Sequence, residues 1–195
     1  ETKLDTNQFN WGYDPKNYNS PEGSYSTDPY NGDVRVKEFK EMVKTLHDND
    51  ISVVMDVVYN HTYSTDYCYN KLVPDYFYRP GSNGSGCGND VASERAMVRN
   101  FIVNSVAYWA KEYHIDGFRF DLVGLIDVQT IKEIRAALDE IDPSIIIYGE
   151  GWSMTTTTTK EGTALSTQTN AVNLGNFGMF NDTIRDAIKG SVFKA

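Results

Sequence analysis

Gly117-Phe118-Arg119-Phe120-Asp121-Leu122 alternates apolar and charged residues, and a period of two marks a β-strand. Phe118, Phe120 and Leu122 share one face, which predicts packing against helices. Arg119 and Asp121 share the other, with Asp121 at the carboxyl end. Two further segments end the same way. Ile51-Ser52-Val53-Val54-Met55-Asp56 reaches Asp56 in a β-branched run that continues to Val58. Ile145-Ile146-Ile147-Tyr148-Gly149-Glu150-Gly151-Trp152 places Glu150 directly behind three isoleucines. Parity along each strand groups Val54, Asp56, Val58 and Asn60 in one case and Ile146, Tyr148 and Glu150 in the other.

Between these segments the apolar residues recur at helical spacing. Val36, Phe39, Val43 and Leu46 predict a helix over 34–49. Val98, Ile102, Val106, Trp109 and Tyr113 predict another that Ser93 can cap. A third starts at Asp127, turns Ile131, Ile134, Leu138 and Ile141 inward, and stops before Pro143. A short helix over 181–189 closes at Gly190.

Strands expected at 51–58, 115–122 and 144–149 thus alternate with helices, which implies an α/β fold built from right-handed βαβ units on a parallel sheet. Neither Gly-x-Gly-x-x-Gly after a strand nor a Walker motif occurs, which argues against a doubly wound nucleotide fold. Acids at successive carboxyl ends match the active-site face of a (β/α)8 TIM barrel. Three strands fall short of eight, so the sequence reads as the central part of such a barrel, incomplete in this chain. It is one partial catalytic domain over 1–195, with long βα loops at 1–33, 62–92 and 153–180. Open sheet edges would favour self-association. The threonine run 155–159 reads as a solvated loop.

A net charge of −9 and a pI near 4.8 exclude a typical nucleic-acid partner, whose phosphates select a basic face. A neutral polysaccharide is compatible with that surface. The 13 Tyr and 3 Trp offer flat faces for sugar rings, although most such residues in any protein are ordinary half-buried aromatics. Cys68 and Cys87 are too few for a disulfide framework and lack Cys-x-x-Cys spacing, so one loop-closing disulfide and two free thiols are equal readings. No run of apolar residues is long enough to span a membrane, and no membrane partner is expected. Localisation stays open among secreted, cell-surface and cytoplasmic.

The paired acids carry the chemistry. Arg119, two residues from Asp121, favours an ionised Asp121, while the isoleucines and Trp152 around Glu150 favour retention of its proton near neutrality. One charged and one protonated carboxyl is the division of labour in glycoside hydrolysis. Asp56 and His61 read equally well as braces of the strand end and as ligand contacts.

Taken together, Asp56-Val57-Val58-Tyr59-Asn60-His61, Gly117-Phe118-Arg119-Phe120-Asp121 and Tyr148-Gly149-Glu150-Gly151-Trp152 resemble the first three sequence regions of the α-amylase superfamily. Asn10-Trp11-Gly12-Tyr13-Asp14-Pro15 resembles the signature of type I pullulanases, which debranch starch-like glucans. The resemblance covers 10–195. It implies Asp121 as a nucleophile acting with retention, Glu150 as general acid/base and Arg119 as the residue orienting the nucleophile. It further implies that Tyr13, Asp14, Asn60, His61 and Trp152 bind substrate, with Tyr13 stacking under the sugar, and that Asp56 supports the site.

The expected partner is an α-glucan polysaccharide or oligosaccharide. No cofactor or metal is required. Calcium occurs in parts of the superfamily and is allowed here, but no EF-hand spacing is present. The fourth region, with a His-Asp pair supplying a third catalytic carboxylate, has no match after Gly175-Asn176-Phe177-Gly178-Met179-Phe180-Asn181-Asp182, so the chain alone is expected to be inactive. Two other readings remain: a different superfamily member, such as an isoamylase or branching enzyme, and a non-catalytic glucan-binding fragment.

Overall fold

A computed structural model describes residues 11–191. Asn10, the first residue of the pullulanase-like signature, and the first ten residues of the expected 1–33 loop lie outside them. Four strands, β1 (Val54–Val57), β2 (Gly117–Phe120), β3 (Ile146–Gly149) and β4 (Gly178–Met179), form one parallel sheet in the order β1-β2-β3-β4. The helices are α1 (Gly32–His47), α2 (Cys68–Leu72), α3 (Ala96–Tyr113), α4 (Val128–Asp139) and α5 (Asp182–Lys189).

The three expected strands are present and parallel, each shorter than its apolar run. β4 falls within the expected 153–180 loop, because two residues are too few to show a period. α2 likewise interrupts the expected 62–92 loop.

The alternation in β2 has its expected consequence. Phe118 and Phe120 are fully buried, with Ile147 and Val57 on the same side of the sheet. Burying each phenylalanine contributes about 2 kcal/mol. Val98, Ile102, Val106 and Trp109 from α3, and Ile131, Ile134 and Leu138 from α4, complete this core. Phe39 of α1 packs edge-on against Trp109 and Tyr113 of α3, at 5.9 and 5.2 Å between ring centres.

The opposite face of the sheet is different. Register aligns Asp56 with Arg119 and Arg119 with Tyr148. Val54 and Ile146 flank this polar row and are 38% and 54% exposed.

Helix ends follow local chemistry. The Asn31 side chain accepts from Asp33 N–H at the start of α1, and Asp127 accepts from Thr130 N–H at the start of α4. Gly190 ends α5 at φ +83°, where an L side chain would be strained. Ser93 does not cap α3, whose N-cap is Arg95 with no side-chain cap bond. Its hydroxyl instead accepts from Asp127 N–H at 2.9 Å and from Arg79 Nη2 at 3.3 Å.

Buried Arg79 is a structural hub that sequence reading missed. It donates to Glu94 Oε2 at 2.8 Å and to the Leu125 carbonyl at 2.7 Å, tying the long loop to the segment after β2. Among the described residues no helix is long and apolar enough to cross a membrane.

Candidate active site

The register that aligns Asp56, Arg119 and Tyr148 places three acids at one end of the sheet. Asp56 lies within β1, Asp121 immediately follows β2, and Glu150 immediately follows β3. The Arg119 guanidinium joins all three. Its Nη1 lies 2.8 Å from Asp56 Oδ1 and 3.3 Å from Asp121 Oδ1, and its Nη2 lies 2.6 Å from Glu150 Oε1. The pairing with Asp121 was expected from spacing along one strand. The links to Asp56 and Glu150 depend on sheet register, which sequence alone does not supply. Burial opposes the guanidinium's charge, but Asp56 and then Glu150 more than offset it, so Arg119 is held above its ordinary pKa.

Each acid has a second anchor. Tyr13 donates its hydroxyl to Asp56 Oδ2 at 2.7 Å, and that bond, with burial, raises the Tyr13 pKa. The Tyr13 ring lies 5.7 Å from the Arg119 guanidinium, and Phe180 lies 5.9 Å from it. Asn60 Nδ2 donates to both the Asp121 carbonyl, at 2.8 Å, and Asp121 Oδ2, at 2.9 Å. Leu122 N–H donates to Glu150 Oε2 at 3.1 Å.

The surroundings of Glu150 therefore differ from the apolar enclosure expected of its three isoleucines. Ile146 faces outward, and the carboxyl group meets a cation and an amide donor instead. Leu122 holds a left-handed backbone at φ +41°, turning the chain directly behind Asp121.

His61 is 2% exposed, and its Nδ1 lies 2.6 Å from Asn60 Oδ1. Burial lowers its pKa, offset in part by Asp121, the Tyr13 carbonyl, Asp14 and Asp90. Asp14 is exposed at the same end. Trp152 is half-buried, and its backbone packs on Gly124.

Cys68 and Cys87 are both free and exposed. The glycine-rich loop around Cys87 is ordered by Asp90, which accepts from Gly84 N–H at 2.7 Å, from Ser85 N–H at 2.9 Å and from the Ser82 hydroxyl. The threonine run, read as merely solvated, docks onto this loop. Thr156 Oγ1 donates to the Asn83 carbonyl at 2.8 Å, and Thr158 Oγ1 to the Pro80 carbonyl at 2.9 Å. A depression on the surface of α1, lined by Asp33, Val36, Lys37, Lys40, Glu41 and Lys44, involves none of these groups.

No protein-family model matches the chain. A pullulanase of Bacillus subtilis (strain 168) is 43% identical over 191 residues, covering 95% of this chain and 26% of that protein. One from Klebsiella aerogenes is 40% identical over 196 residues, covering 95% of this chain and 17% of that protein. The chain thus spans about a quarter or less of the length of these relatives. The crystal structure of Paenibacillus barengoltzii pullulanase in complex with maltohexaose and alpha-cyclodextrin superposes with a TM-score of 0.93 at 52% identity. That alignment covers 98% of this chain and 30% of the other.

Proposed function

This chain is homologous to a segment of the pullulanases, and from that premise we propose that it carries part of the active site of an α-1,6-glucan debranching hydrolase. The observation that carries the reading is the Arg119 fork, which gathers Asp56, Asp121 and Glu150 at the carboxyl ends of adjacent parallel strands. In this reading the sheet is part of a (β/α)8 barrel. The exposed Val54 and Ile146 lie on the side that further strands would cover, and the isolated chain is expected to self-associate.

Asp121 attacks the anomeric carbon of the glucosyl unit at the branch, the bond from that carbon to the bridging oxygen breaks, and Glu150 gives its proton to the departing oxygen. A water then loses a proton to Glu150 as its oxygen bonds the anomeric carbon, which releases Asp121 with retention. Arg119 and Asn60 hold Asp121 as an oriented anion. Glu150 must let go of Arg119 Nη2 to act as an acid, so glucan entry exchanges that contact for one to the bridging oxygen. Tyr13, Asp14, His61 and Trp152 contact the sugars, and Asp56 steadies Arg119 and Tyr13.

The test is a graft. Residues 11–191 replace the aligned segment of the Bacillus subtilis pullulanase, and the products formed from pullulan are identified. Maltotriose release, lost on Asp121→Asn, supports the proposal. A folded graft that cleaves α-1,4 bonds, or none, overturns it.

A further inference from the structure

Beside the acids, three groups of different chemistry converge. One ligand atom each from Asp14, His61 and Cys87 lies within 4.8 Å of the other two. The three come from segments remote in sequence, brought together by the ordered loop that carries Cys87.

The tautomer of His61 follows from its neighbours. Asn60 Nδ2 faces two acceptors, the carbonyl and a carboxylate oxygen of Asp121, so the amide orientation is fixed and Oδ1 faces His61. That oxygen can only accept, so Nδ1 carries the proton. A neutral ring, which burial favours, then leaves a bare lone pair on Nε2. Nε2 is buried and has no hydrogen-bond partner, although the Tyr13 backbone acts on the ring to raise its pKa. A buried imidazole nitrogen without a partner carries a desolvation cost that a ligand would relieve.

We propose that Asp14 Oδ, His61 Nε2 and Cys87 Sγ form a binding site for a thiophilic divalent cation of the zinc class. One carboxylate, one imidazole and one thiolate suit zinc or cadmium and not calcium or magnesium, which take oxygen donors. Three protein ligands leave a fourth tetrahedral position to water. Zinc bonds of about 2.0–2.3 Å require the ligand atoms to draw somewhat closer. Asp14 and Cys87 are exposed, with the Cys87 thiol donating to the Ser85 carbonyl at 3.7 Å, while His61 stays fixed with its Nδ1–H donated to Asn60, the outer-shell bond that metal-binding histidines use. Binding releases the thiol proton of Cys87. Asp14 and His61 are also the residues placed against the sugars above, so cation and glucan exclude each other at this site.

The test is a titration of the chain with cadmium in thiol-free buffer, read by thiolate-to-cadmium absorption, followed by displacement with zinc. One equivalent bound per chain is expected, with the band absent in Cys87→Ser, retained in Cys68→Ser, and affinity at least tenfold weaker in Asp14→Asn. All three substitutions are at exposed positions or outside the core, so the fold is preserved. The Nε2 nitrogen resonance of His61 should move on cadmium addition. A band that survives Cys87→Ser, disappears in Cys68→Ser, or leaves the Nε2 resonance unmoved overturns the site, as does unchanged affinity in Asp14→Asn.

Discussion

Gly124 faces the Trp152 backbone so closely that a Cβ would come within 2.0 Å of the Trp152 carbonyl oxygen. Gly124 N–H also donates to the Glu150 carbonyl at 3.0 Å. The turn behind Asp121 is therefore seated directly on the turn behind Glu150, and the two acids are held relative to each other by backbone.

Gly124→Ala must push these turns apart, because backbone cannot swing away as a side-chain tip can. A loss of about 3 kcal/mol is expected in chemical denaturation, with loss of turnover in the graft. Gly32→Ala, at the start of α1 with open space around it, is the control and should stay within about 0.5 kcal/mol of the parent.

Arg119→Met leaves Asp56, Asp121 and Glu150 facing one another without their shared cation. A fully buried pair broken this way costs about 3–5 kcal/mol. Asp56 is substantially open to water, so about 2 kcal/mol is expected here. Adding Asp56→Asn and Glu150→Gln to Arg119→Met should recover part of the loss in denaturant midpoint. Equal stability of the single and triple variants would show that the cation does not hold these acids together.

Asp90→Ala strips the acceptor from Gly84 N–H, Ser85 N–H and the Ser82 hydroxyl in one step. The loop that carries Cys87 should loosen while the sheet does not. Amide hydrogen exchange at Gly84 and Ser85 is expected to accelerate at least tenfold, with β2 amides unchanged. Uniform acceleration would instead place Asp90 in the global core.

How much of this was legible in the sequence depends on the range over which each feature acts. The period of two in 117–122 identified β2, its buried face and the Arg119–Asp121 pair, because all three are local. Asp127 at the start of α4 was legible for the same reason, as a cap acts within one turn. The fork from Arg119 to Asp56 and Glu150 was not, since it needs the register between strands remote in sequence. Cys87 reaches His61 only because Asp90 and the threonine run fold the 80–90 loop back. Its Asn, Ser and Gly composition signals turns but not where they lead. β4 lies below the length at which any period shows. The apolar surroundings inferred for Glu150 do not form around its carboxyl group, because the isoleucines alternate and only Ile145 and Ile147 turn into the core.

The last prediction separates the roles of the two acids in the graft. Retention requires their carboxyl groups to sit about 5–5.5 Å apart once glucan is bound, against roughly 6.5–9.5 Å for an inverting pair with a water between them. Asp121→Asn keeps the shape and the Asn60 contact but removes the attacking charge, so turnover should vanish while glucan binding persists. Glu150→Gln removes the transferable proton, and natural glucans, whose leaving oxygen depends on protonation, should suffer most. A glucosyl fluoride needs no such proton. It should still react with Asp121 and then stall as a covalent adduct, because the same glutamate must activate the water. Mass spectrometry of the stalled graft should therefore find one glycosyl unit on the peptide containing Asp121. If Glu150→Gln slows fluoride and natural substrate alike at the first step, Glu150 is not the acid/base.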